Sequence, residues 1–207
     1  MTSPVPAILP LALLEAVQNI DTPPDDGLGA LEDELAAKRL GLSPTVAAQI
    51  KRYRDQADSG GEVDREEALA VFRLVGRRPD ADLVYADAGR RAARYAARER
   101  GGGNKALAAV SPGKLGASVR FRAAGRLAQR WLLVELRAPG GVPRAETEDT
   151  LALLAREDGL GCRFHGSALG ELLRLVVGYE GVMVHESCRA RGDARCFWRA
   201  EQAEGYE

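Results

Sequence analysis

Aromatic side chains make up only 5% of this 207-residue chain, and it holds two histidines and three cysteines. An odd thiol count cannot close into disulfides within one chain, which points to a reducing compartment where clustered thiols serve as metal ligands. No basic lead-in precedes the short apolar stretch from Ile8 to Leu14, and that run is far too short to span a bilayer. A cytoplasmic protein without a membrane span is therefore expected. No G-x-G-x-x-G follows a strand, Gly113-Lys114 is followed by Leu115 where a phosphate loop needs serine or threonine, and no G-x-S-x-G elbow is present. With no nucleotide, flavin or nucleophile signature, the sequence speaks for a binding module ahead of an enzyme, without deciding the question.

Net charge is −1 yet unevenly spread: −5 over residues 1–50, +10 over 65–144 and −5 over 145–207. A basic middle can serve polyanions, but no interleaved aromatics or nucleic-acid motif accompany it. Arginines on helix faces that answer the acidic ends are the expectation, so nucleic acid is not an expected partner.

What chemistry the chain does carry is gathered near its end. All three cysteines and one histidine fall in the pattern C-x22-H-x2-C-x7-C, at Cys162, His185, Cys188 and Cys196. Four soft or borderline ligands are the number a closed tetrahedral zinc site takes. The competing reading makes each cysteine a small buried apolar residue. A second ambiguity concerns Glu186: in an unbroken strand Glu186 and Cys188 share a face while His185 points away, so Glu186 competes with His185 as fourth ligand. The other histidine, His165, starts a helix, where a surface position is expected.

Local signals divide the rest. Leu11–Ile20, Leu31–Leu40 and Pro44–Ala57 read as helices, the last capped by Ser43 with proline at its first position, so residues 1–62 form a helical extension. From residue 63 to 207 a second unit is expected. Asp64 and Glu67 form a capping box, and Asp80 caps a helix from Ala81 to about Arg100 with Leu83, Val84, Ala88, Ala92 and Tyr95 along one side. Arg90, Arg94 and Arg98 line another side, and Gly101–Asn104 ends the helix. Val119–Phe121 and Trp131–Leu136 carry β-favouring residues, and Trp131–Leu136 reads as a strand. Glu146–Arg156 and Gly166–Val177 read as helices. Gly181–Ser187 and Cys196–Ala200 read as paired strands around a Gly192-Asp193 loop. Helices followed by a hairpin make the class α+β.

Cys162-Arg163-Phe164, the run Gly166–Leu173, Val182–Cys188 and Gly192–Phe197 together resemble the 4-vinyl-reductase domain family. That family includes a bacteriochlorophyll-synthesis protein and the sensor domains of phenol-responsive activators. The likeness covers about residues 160–200 and is absent from the first sixty. It implies a twisted antiparallel sheet packed with helices, akin to the Bet3-like subunits of the TRAPP vesicle-tethering complex. It also implies a structural zinc held by Cys162, Cys188 and Cys196, with His185 at the position where the sensors carry an acidic ligand. Imidazole is a sound replacement there. The resemblance further implies an enclosed apolar or aromatic small molecule and a homodimer. Trp131, Phe164 and Tyr179 are pocket-lining candidates, with core packing as the plainer role for each. A TRAPP-like interaction scaffold and an accessory factor in tetrapyrrole reduction are the alternatives.

Overall fold

The computed structural model describes residues 3–22, 40–98 and 114–202. Its first helix follows from composition. α1 (Ile8–Asp21) is apolar on every side from Ile8 to Val17, Glu15 apart, and all the residues of that stretch are buried. A helix that is hydrophobic all round belongs inside. Pro10 is harmless in the first turn, where its missing N–H has no intrahelical partner to lose. The short strand β1 (Val5–Pro6) ahead of α1 pairs with β2 (Glu62–Val63). The segment expected as an extension thus shares one apolar core with the rest of the described chain, from Val5 to Ala200.

Two charged residues of α1 fix its neighbours. Glu15 accepts from Arg54 at 2.7 Å and Tyr95 at 2.8 Å. Asp21 takes Arg78 at 2.7 Å and the Gly41 N–H at 2.8 Å. Buried carboxylates answered in this way avoid the cost of an unpaired interior charge.

α2 (Pro44–Asp58) begins as the cap signal predicts, with Ser43 accepting from the Val46 N–H. α3 (Arg65–Gly76) starts at Asp64, which accepts from the N–H groups of Glu66 and Glu67. Only half of the capping box forms, because the Glu67 carboxylate turns to Tyr53 (2.6 Å) and Arg52. α4 (Ala81–Arg98) follows, and the carboxylate of Asp80 pairs with Arg78 at 2.8 Å. Leu83, expected on the buried side of α4, is 63% exposed. The buried side runs instead through Val84, Tyr85, Ala88, Gly89, Ala92, Ala93 and Ala96. The helix expected over Leu31–Leu40 and the Gly101–Asn104 break lie outside the described residues, apart from Leu40, which opens a tight turn.

Two expected elements are corrected. Val119–Phe121 lies inside α5 (Lys114–Leu127), which continues as a wide turn through Ala128–Leu132. Trp131 and Leu132 are therefore helical, and Leu133 leaves the turn at φ +59°. A short apolar run does not distinguish a buried helix end from a buried strand. Only Glu135–Arg137 is extended, as β3. Glu146–Arg156 likewise divides: Arg144–Thr147 is β4, and Thr150 caps the short α6 (Leu151–Ala155) through the Leu153 N–H at 2.9 Å.

α7 (Arg163–Val177) starts three residues earlier than the glycine signal implies and ends at Gly178, whose φ of +76° suits glycine. β5 (Val182–Ser187) and β6 (Cys196–Glu201) complete an antiparallel sheet in the order β3-β4-β6-β5. Among the described residues the class is α+β, with seven helices and two small antiparallel sheets. No described helix is long and apolar enough to cross a membrane. α4 and α7 pack so closely that a Cβ on Gly89 would lie 2.2 Å from the Phe164 carbonyl oxygen. That contact sets α7, and the turn leading into it, against α4.

Candidate metal centre

Three elements converge where the thiols lie. Cys162 closes the tight turn Leu160–Cys162 that feeds α7, Cys188 follows the end of β5, and Cys196 opens β6. Their sulfurs form a near-equilateral triangle: 3.9 Å from Cys162 to Cys188, 3.8 Å from Cys162 to Cys196 and 4.0 Å from Cys188 to Cys196. A disulfide needs about 2.05 Å, so these are separate thiols. Tetrahedral arms of about 2.3 Å give edges of about 3.8 Å, so the triangle matches one face of a zinc-thiolate tetrahedron. One ring nitrogen of His185 supplies the fourth corner, and all four ligand atoms lie within 4.8 Å of one another. The Nε2 of His185 is buried with no hydrogen-bond partner, which suits a ligand in a metal set better than a core histidine. These four residues can hold a metal ion.

The strand-alternation conflict is resolved by a bulge. His185 pairs with Trp198 and Ser187 with Phe197, so the register shifts between His185 and Ser187. One extra residue lets His185 and Cys188 face inward together. Glu186 points the other way, is exposed, and pairs with Arg199. The competition between His185 and Glu186 therefore goes to His185. Replacing His185 with alanine should weaken metal retention in a chelator competition by about ten-fold or more, and Glu186→Ala should leave it unchanged. Equal effects would contradict this geometry.

The loop after Cys188 is built to hold the sulfurs. Asp193 accepts from the Cys188 N–H at 2.6 Å, the Cys188 carbonyl accepts from Arg191 at 2.9 Å, and Gly192 turns the chain at φ +96°. Gly159 (φ +76°) passes so near that a Cβ there would sit 2.8 Å from the Cys188 sulfur. Thiols this close do not ionise independently. Their mutual hydrogen bond, with burial adding, pushes Cys162 up. The same bond pushes Cys196 down against the cost of burial, helped by His185 and the Arg189 backbone amide. A divalent cation would take the place of the protons shared by this cluster.

His165 is a correction. It is 4% exposed, inside α7, with its ring edge-on to Phe164 and near Trp198. Burial first, and the nearby His185 last, lower it to about 4, while Cys196 and a bond to the Leu132 backbone act against them. Because α7 starts at Arg163, position 165 falls on its inner side.

The three pocket candidates are not brought together. Phe164 is fully buried, edge-to-face with Phe72 at 5.4 Å, beside an enclosed gap of about 10 Å³. That gap barely admits one water. Trp131 is buried under Arg130 and borders a separate cavity of about 170 Å³ with Tyr95 and Ile8. Only Tyr179, half-buried, reaches the large space: an open groove of about 1120 Å³ between α7 and the edge strand β5, whose wall includes Cys162 and His185. Sequence reasoning passed over Trp198, which stacks on His185 at 4.7 Å and also borders the groove. Its spacing of two from Cys196 places both on one face of β6, the signal that could have found it. Of the arginine row on α4, Arg94 pairs with Glu171 at 3.0 Å and Arg98 lies over Tyr95.

No protein-family model, curated protein or solved structure matches the chain.

Proposed function

We propose that this chain is a small-molecule-binding or sensing domain of the 4-vinyl-reductase kind, on a Bet3-like arrangement, stabilised by a structural zinc ion. The observation that carries the reading is the sulfur triangle with His185 at its fourth corner. Three thiolates and an imidazole suit zinc over harder cations, and four protein ligands leave no open position for chemistry on the ion. Such an ion ties the lead-in of α7 to both arms of the β5–β6 hairpin, so its binding free energy becomes folding free energy.

The groove beside the ion supports the binding half. It is a concave space next to a rigid, cross-linked wall, and Val182, Met183, Val184 and Leu160 give it apolar surface. An apolar or aromatic guest, in a homodimeric and cytoplasmic protein, is the reading we adopt.

Native mass spectrometry of gently purified protein tests it. The expected species carries one zinc and, in a fraction of molecules, a small organic guest. A retained protein partner would speak for a TRAPP-like scaffold, and a retained pigment or flavin for an accessory role in tetrapyrrole reduction; either would overturn the sensing reading.

A further inference from the structure

We propose that the groove between α7 and β5 takes a small organic carboxylate, anchored at the floor by the indole N–H of Trp198 and answered in charge by Arg90. This deepens the binding reading above and rests on it.

The anchor is an unmet donor. Trp198 is fully buried and held between His185 and His165, yet its Nε1 has no hydrogen-bond partner. An indole N–H only donates, and leaving one buried and unpaired is costly. Whatever meets it must be an acceptor. Glycine at position 166 keeps the facing turn of α7 free of a side chain. A Cβ on Gly166 would come 3.5 Å from Trp198 Nε1 and 3.6 Å from the Met183 carbonyl oxygen, ordinary contact distances. A Cβ on Gly170, one turn on, would meet nothing within 4 Å. With Ser167 between them, α7 offers a lane of small residues facing the apolar wall of β5.

Charge selects the guest. Among the carboxylates lining the groove, Asp82 is paired with Arg163 at 2.7 Å, Asp158 with Arg156 at 3.0 Å, and Glu171 with Arg174 at 2.9 Å. Glu180 acts on Arg174. Arg90 also lines the groove, is exposed, and has no carboxylate partner among the described residues. A carboxylate supplies both missing partners, an acceptor for the indole and a charge for the guanidinium, while its apolar body lies along Val182 and Leu160.

The test uses the zinc-loaded full chain labelled with 15N. Its two tryptophans give two indole N–H signals, and a Trp131→Phe variant identifies that of Trp198. Titration with benzoate should move the Trp198 signal downfield, saturably, and leave the other in place. Benzamide, with the acceptor but no charge, should bind about five-fold more weakly, and toluene should cause no downfield shift. Arg90→Gln should reduce benzoate affinity to that of benzamide and leave benzamide unchanged. Gly166→Leu should abolish binding while metal content stays at one ion per chain.

Equal affinity for benzoate and benzamide, or an Arg90→Gln variant indistinguishable from the parent, would overturn the carboxylate assignment and leave a binding module standing. Binding without movement of the Trp198 signal would overturn the anchor. No binding of any probe at millimolar concentration would overturn the carboxylate site, whereas the sensing reading fails on the separate mass-spectrometric result.

Discussion

Cys188→Ser should lower the melting temperature by about 10 °C, a loss of about 3–5 kcal/mol for a chain of this size. The sulfur of Cys188 is one corner of the triangle, 3.9 and 4.0 Å from its neighbours, and is 1% exposed. Serine keeps nearly the same volume, so little packing is lost. What goes is a thiolate, and with it the link between the loop after β5 and the turn into α7. Metal content should fall from one ion per chain to near zero. A chelator-stripped parent should then melt close to the Cys188→Ser variant, since both lack the same cross-link. A variant that melts with the untreated parent would mean that the cluster contributes nothing to folding.

Gly89→Ala is the second large effect, and it acts far from the sulfurs. A single methyl there would lie 2.2 Å from the Phe164 carbonyl oxygen and 3.0 Å from the Ala168 nitrogen, both backbone atoms. Neither can rotate aside, so α4 and α7 must separate. Overpacking of this kind costs about 1–3 kcal/mol, or about 5 °C here, even though alanine is the better helix former. Gly170→Ala is the control, because its methyl enters open space and should raise stability by up to about 1 kcal/mol. Thermal melts of the two variants should move in opposite directions. If Gly89→Ala were as stable as Gly170→Ala, the helix packing described above would be wrong.

Features written in short-range chemistry were legible in the sequence. Ser43 before Pro44 and Asp64 before Arg65 announce helix starts because a cap is a contact over three residues. The metal set was legible because the chain spends its only three cysteines there. Long-range packing decided the rest. Trp131–Leu136 carries strand-like residues but supplies the buried end of α5, and only Glu135–Arg137 finds a strand partner. Glu146 and Thr147 open a stretch that reads as helix, yet β6 offers them an edge to pair with. The bulge that turns His185 inward leaves no mark in composition, so strict alternation favoured Glu186. Of the groove only Tyr179 was legible: Gly166 and Gly170 gain meaning only once β5 lies opposite.

The most direct measurement is metal analysis of protein purified without chelator, followed by cobalt exchange and absorption spectroscopy. The expected result is one zinc per chain, and a cobalt form with the intense visible bands and thiolate charge-transfer absorption of a tetrahedral three-sulfur, one-nitrogen site. Protein that is folded, metal-free and unable to take up cobalt would contradict it.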